Sequence, residues 1–223
     1  MLPELTAGLV GDRDPAQPLI TYVQGAARVE LSGATTANWI SKIANLLVDG
    51  YGGPDRVGIV LPLHWQTPCL LLGAVASGAT AVVGSDPRHL QGCAVAFTTP
   101  DGVEAALDAG VGEVFACSLT PFATRLAEVP RHALDAAVEI PGYGDHFGGR
   151  PRDARVEVDG RLIDVPALDV GPSDRVLTAR DPRTADGLAV LLGALRAGAA
   201  VVLLREGDAD EVGRQEGVTR SVV

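Results

Sequence analysis

Four glycines, an aspartate, a histidine and an arginine fall within one short stretch, Gly142-Tyr143-Gly144-Asp145-His146-Phe147-Gly148-Gly149-Arg150. Glycine-rich backbone ending in a cation suits a phosphate cradle, because N–H groups approach the oxygens closely and the cation takes up their charge. No Ser or Thr hydroxyl stands in it to share that task, and Asp145 would turn negative charge toward a polyphosphate. The alternative is a surface connection, which such composition ordinarily makes. Gly142, Gly144, His146, Gly148, Gly149 and Arg150 are the first ligand-binding candidates. A second group lies in Arg180-Asp181-Pro182-Arg183-Thr184-Ala185-Asp186-Gly187, where Arg180 and Arg183 stand at a helix start and could hold an anion. Ordinary surface arginines are the alternative there.

Other chemistry is sparsely represented. Lys42 is the only lysine, which excludes any mechanism needing two. His64, His89, His132 and His146 show no ligand spacing on one helix, so no metal site is expected. His64-Trp65 follows Pro62 at a helix start and reads as an amphipathic cap. No Gly-x-Ser-x-Gly elbow and no dinucleotide glycine fingerprint occurs. Cys69, Cys93 and Cys117 lie in or beside apolar runs and read as buried reduced thiols. Net charge is -10 with 4% aromatics, a balance that disfavours nucleic acid. Met1-Leu2-Pro3-Glu4 lacks the features of a signal peptide, and the apolar run Cys69 to Val83 is too short and too broken to span a bilayer. A cytoplasmic protein with no membrane partner is the expectation.

The elements that position these residues are legible from periodicity. Leu19–Gln24 and Ala27–Leu31 read as a hairpin around Gly25. Ser32 caps a helix running to about Asp49, whose polar side carries Asn38, Lys42, Asn45 and Asp49. Lys42 therefore reads as a solvated helix-face residue. Val57–Leu61, a helix over His64–Ser77 and Ala79–Val83 form a β-α-β unit. Ala94–Thr98, a helix over Asp101–Ala109, and Glu113–Cys117 continue it. A small hairpin around Asp159-Gly160 follows a Pro/Gly-rich stretch. Arg175–Ala179, a helix over Thr184–Ala197, and Ala199–Leu204 then make another β-α-β unit, followed by a short polar helix and the apolar Val218–Val223.

The two units repeat each other. Gly53-Pro54-Asp55-Arg56-Val57 recurs as Gly171-Pro172-Ser173-Asp174-Arg175-Val176, and Leu71-Leu72-Gly73-Ala74 through Gly78-Ala79 recurs as Leu191-Leu192-Gly193-Ala194 through Gly198-Ala199. The expected architecture is α/β with two related β-α-β layers. Residues 1–130 form a first α/β subdomain, 131–170 a Gly/Pro-rich connection with a small hairpin, and 171–223 a second unit packed on the first in one compact domain.

Several strings, taken in order, resemble the acyl-adenylating enzymes of the AMP-binding ligase superfamily. Leu19-Ile20-Thr21-Tyr22 with Val29-Glu30-Leu31-Ser32 is similar to the family's first core motif. Ser77-Gly78-Ala79-Thr80-Ala81-Val82-Val83 with Asp86-Pro87 is similar to its second. Asp174-Arg175-Val176-Leu177 through Leu204 resembles the segment after its phosphate loop, and Glu216-Gly217-Val218-Thr219 a later helix-to-strand passage. The resemblance spans nearly the whole chain but only the first half of the family's large domain, and within the family it points to short actinobacterial relatives.

That resemblance implies half of an adenylate-forming large domain and raises ATP or AMP as possible ligands. It also implies missing chemistry. The family's Ser/Thr-rich loop ending in lysine stands where this chain has residues 142–150. The family's aromatic or histidine beside the substrate carboxylate has no counterpart in Arg180–Gly187. The nucleotide-binding acidic motifs and the domain with the second catalytic lysine lie beyond the matched segments. The expectation is a protein with no catalytic residues, no resident cofactor and no metal, binding a ligand or a protein. Its partner is expected to be a second copy, or another protein covering apolar surface that the missing half would otherwise bury. The alternative is a nucleotide- or acyl-binding enzyme with a site rebuilt around Arg150 and Arg180.

Overall fold

The computed structural model describes residues 14–149 and 155–223; Met1–Glu4 and Arg150, read above, lie outside them. The elements in chain order are β1 (Pro18–Gln24), β2 (Ala27–Ser32), α1 (Gly33–Asn45), β3 (Arg56–Val60), α2 (Gln66–Ser77) and β4 (Thr80–Val83). They continue with β5 (Val95–Thr98), α3 (Val103–Asp108), β6 (Glu113–Ala116), β7 (Leu134–Asp135), α4 (Ala136–Glu139), β8 (Val156–Val158) and β9 (Arg161–Ile163). The last are β10 (Arg175–Thr178), α5 (Ala185–Arg196), β11 (Ala200–Glu206), α6 (Ala209–Gln215) and β12 (Arg220–Val222).

Local chemistry accounts for the boundaries. Ser32 Oγ accepts the Thr35 N–H at 3.2 Å and starts α1. The helical run expected to reach Asp49 ends as α1 at Asn45 and goes on as a π-turn over Leu46–Gly50. α2 begins two residues later than periodicity suggests, at Gln66, because His64 is drawn into the interior. Gly78 (φ 91°) and Gly198 (φ 81°) sit just past α2 and α5 in the left-handed conformation that stops a helix without strain.

Two sheets result. One runs β12-β10-β11-β1-β2 and the other β7-β6-β5-β3-β4-β8-β9. All neighbours are parallel except the hairpins β1–β2 and β8–β9, each at one edge. Sheet membership does not follow chain order. The β1–β2 hairpin, which lies within residues 1–130, pairs with β11, Ile20 lying beside Val201. The β8–β9 hairpin, from the connecting segment, pairs with β4.

The repeated strings occupy equivalent places, one in each sheet. Order and direction in β5-β3-β4-β8-β9 match those in β12-β10-β11-β1-β2. Arg56 lies beside Thr80 and Arg175 beside Ala200. The main apolar cluster lies between the sheets, joining Ile20 and Leu203 to Ile59, Leu71, Phe97 and Leu191. Smaller clusters lie under α3 and under α6. Each such buried side chain contributes about 2 kcal/mol.

The glycines of the two repeats serve close packing. A Cβ at Gly73 would come 2.4 Å from Ile43 Cγ2 on α1, and one at Gly193 would come 2.8 Å from the Pro166 carbonyl oxygen. All three cysteines are free and buried, and burial raises the thiols of Cys69 to about 12 and Cys93 to about 11. At neutral pH they behave as small apolar groups. No helix among the described residues is long and apolar enough to cross a membrane.

Candidate functional site

In an open α/β sheet ligands sit beyond the carboxyl ends of the strands, where successive connections depart in opposite directions. In the larger sheet that point lies between β3 and β5, because β4 is on the other side of β3. In the smaller sheet it lies between β10 and β12.

The β3/β5 crevice is filled from within. β3 runs on into Leu61-Pro62-Leu63-His64, and the His64 side chain is buried, at 1% exposure. The Gln66 backbone N–H donates to His64 Nδ1 at 3.3 Å, so Nδ1 is the acceptor and Nε2–H donates to the Thr120 carbonyl at 3.1 Å. The Gln66 side-chain amide donates to the Ser118 carbonyl at 2.8 Å, and Trp65 Nε1–H to the Pro121 carbonyl at 2.9 Å. The segment after β6 is thus bonded to the segment after β3, across the end of β5. From the other sheet, the Tyr22 ring lies 4.6 Å from the imidazole. Burial pushes the His64 pKa down to about 4, leaving it neutral at pH 7. The cap expected at this position is therefore a cross-link between segments.

The β10/β12 point carries the second candidate group. β10 runs on into Ala179-Arg180-Asp181-Pro182-Arg183-Thr184, ahead of α5. Arg183 donates to both oxygens of Asp181, at 2.7 to 3.1 Å, and Arg180 is paired with Asp186. Burial pushes the Asp181 carboxyl up, but the Arg183 bonds outweigh it and hold the group below the usual range. The α5 N-terminus is likewise occupied: Thr184 Oγ1 accepts the Gly187 N–H at 3.1 Å, and Asp186 sits in the first turn. Backbone seats tightly here, since a Cβ at Gly187 would lie 2.1 Å from the Asp181 carbonyl oxygen. Arg205, at the end of β11, is exposed and lies within electrostatic reach of Tyr22, His64 and Asp181.

The glycine segment docks on α1. Lys42 Nζ donates to the carbonyls of Tyr143 (2.6 Å) and Pro141 (3.3 Å). Asn45 Nδ2 donates to the carbonyls of Gly144 (2.8 Å) and His146 (3.0 Å). Lys42 is thus a clasp for the segment, and the reading of it as solvated is corrected. Gly142, Gly144, His146, Gly148 and Gly149 are exposed, and no atom crowds Gly142 or Gly148. Among the described residues no hydrogen bond or ion pair joins this segment to Arg180 or Arg183. The sequence showed the donors of the clasp, the only lysine standing three residues from an asparagine on one helix face, but not the segment they would meet. Nothing local announced the burial of His64 except its apolar neighbours. Among the described residues no group of three His, Cys, Asp or Glu is placed to hold a metal ion.

No family model matches the chain. A Mycobacterium tuberculosis (strain ATCC 25618 / H37Rv) protein described as a TIGR03089 family protein is 33% identical over 209 residues, covering 87% of this chain and 86% of its own. Among solved structures, an acyl-CoA synthetase from Brucella canis is similar at TM-score 0.79 and 16% identity, over 99% of this chain and 46% of its own. Apo MatB from Rhodopseudomonas palustris is similar at TM-score 0.74 and 20% identity, over 99% and 49%. Acetoacetyl-CoA synthetase from Streptomyces lividans is similar at TM-score 0.74 and 18% identity, over 99% and 42%. The chain thus spans just under half the length of these solved structures, and the likeness is one of fold. It has the architecture of half the large domain of adenylate-forming enzymes. Its relation to the mycobacterial protein, over most of both chains, is closer: the chain belongs to the TIGR03089 family.

Proposed function

We propose that this protein is a binding module with the acyl-CoA synthetase fold that does not form acyl-adenylates by itself. The observation that carries the reading is where the cations of the candidate site are spent. Lys42 is held by carbonyls of the glycine segment, Arg183 by Asp181 and Arg180 by Asp186. A phosphate cradle needs positive charge directed at the ligand in advance, because reorganising an ion pair during the reaction removes the advantage of having it. Asp181 and Asp186 also oppose an anion at the α5 N-terminus. The exposed Arg205 and the open backbone of residues 142–149 leave room for weak ligand contact. They do not supply the hydroxyls and cations needed to meet the charge that builds on the phosphate oxygens when a carboxylate attacks the α-phosphorus and pyrophosphate leaves.

Pyrophosphate–ATP exchange with pooled carboxylates tests this reading. The purified chain is expected to return no label to ATP above a heat-denatured control, while calorimetry with AMP and with acyl-CoA reads ligand binding separately. Exchange that saturates with a carboxylate overturns it. A cytoplasmic setting and a protein partner belong to the same proposal.

A further inference from the structure

β12 is the outermost strand of the smaller sheet, and its far side carries no strand among the described residues. The Thr219 N–H donates to the Arg175 carbonyl at 3.0 Å, and Arg220, Ser221 and Val222 lie beside Val176, Leu177 and Thr178. In a parallel pair, residues bonded to the neighbour alternate with residues turned away from it. With Thr219 and Ser221 turned to β10, the N–H and C=O groups of Arg220 and Val222 face outward. Beside them runs a groove of about 490 Å³, walled by α6, β12 and the turn that joins them, and by no residue of β10. The equivalent strand of the larger sheet, β5, is paired on that side by β6. The fold therefore accepts a further strand at this position, and an open edge of this kind is a pairing template.

The charges on α6 select the occupant. Asp210 and Arg214 both face the groove, one turn apart and opposite in sign, and neither forms an ion pair among the described residues. A two-fold axis through Ser221 would run the two α6 helices antiparallel, the arrangement in which Asp210 of each copy can meet Arg214 of the other. It would set Arg220 against Val222 rather than against the other Arg220, so the strand pairing brings no like charges opposite each other. The small residues Ala209 and Gly213, also lining the groove, allow the two helices to approach.

We infer that two copies of this chain pair antiparallel through the outer edge of β12, joining their smaller sheets into one, with α6 packed against α6 across the axis. The interface is self-complementary in both backbone and charge. Sedimentation of the full chain tests it. A dimer of the 23.0 kDa chain is expected. Val222→Pro removes an outward N–H from each copy and leaves the bonds to β10 in place, so dimerisation weakens by about 30-fold with circular dichroism unchanged. Arg214→Asp and Asp210→Arg each weaken self-association by about tenfold, and an equimolar mixture of the two restores the dimer. A monomer at about 100 µM, a dimer unaffected by Val222→Pro, or a mixture no tighter than its components overturns the inference.

Discussion

The two β-α-β units begin alike and finish in opposite ways. In each, an arginine on the first strand meets a glutamate from elsewhere: Arg56 with Glu157 at 2.8 and 3.0 Å, Arg175 with Glu216 at 2.7 Å. In each, a glycine in mid-helix lets a neighbour pack close, the Ile43 side chain at Gly73 and the Pro166 carbonyl at Gly193, and a left-handed glycine follows the helix. The passages from strand to helix then diverge. After β3 the chain reads Leu-Pro-Leu-His-Trp-Gln, and its polar atoms are buried and bonded to carbonyls of the segment after β6. After β10 it reads Ala-Arg-Asp-Pro-Arg-Thr, and its charges pair at the surface within a few residues of one another. The same scaffold position is a neutral internal cross-link in one sheet and a self-paired charged rim in the other. Packing is shared between the units; what stands at the strand ends is not.

Substitution separates them. His64→Ala leaves a cavity and unpairs the Gln66 amide and the Thr120 carbonyl, so unfolding free energy should fall by about 4 kcal/mol. Arg183→Ala removes a half-exposed ion pair and should cost about 0.5 kcal/mol. Urea unfolding followed by tryptophan fluorescence measures both, and equal losses would erase the distinction. Acid sharpens the comparison. The folded His64 titrates near 4 and an unfolded histidine near 6.5, so the unfolded chain takes the proton first. That stability is fully present above about pH 6.5 and declines as pH falls toward 4, by about 3 kcal/mol across the window. In a His64→Gln variant the slope between about pH 6.5 and pH 5 should vanish. From about pH 5 downward, losses from paired carboxylates such as Glu157 and Glu216, whose pKa values are lowered by Arg56 and Arg28, should persist.

The sequence made the repeats legible because Gly-Pro-Asp-Arg-Val and Leu-Leu-Gly-Ala act locally, setting a turn, a strand start and a helix contact within a few residues. The hairpin at Gly25 and the one at Asp159-Gly160 were legible for the same reason. Where those hairpins attach was not, since the pairing of Ile20 with Val201 joins strands from opposite ends of the described chain and leaves no trace in local periodicity. The candidate site divides along the same line. Arg183 and Asp181 are two residues apart, and their pairing could have been anticipated. The clasp from Lys42 to Tyr143 and the bond from His64 to Thr120 depend on which helix face meets which loop, and helix periodicity records only that a face is polar.

If both arginines of the β10 passage are held by their own aspartates, the purified chain has no activated cradle for a triphosphate. The direct measurement is mass-spectrometric detection of acyl-adenylate after incubating the chain with magnesium, ATP and a pool of carboxylic acids. No acyl-adenylate above a heat-denatured control is expected. Its accumulation in proportion to protein concentration would contradict the account.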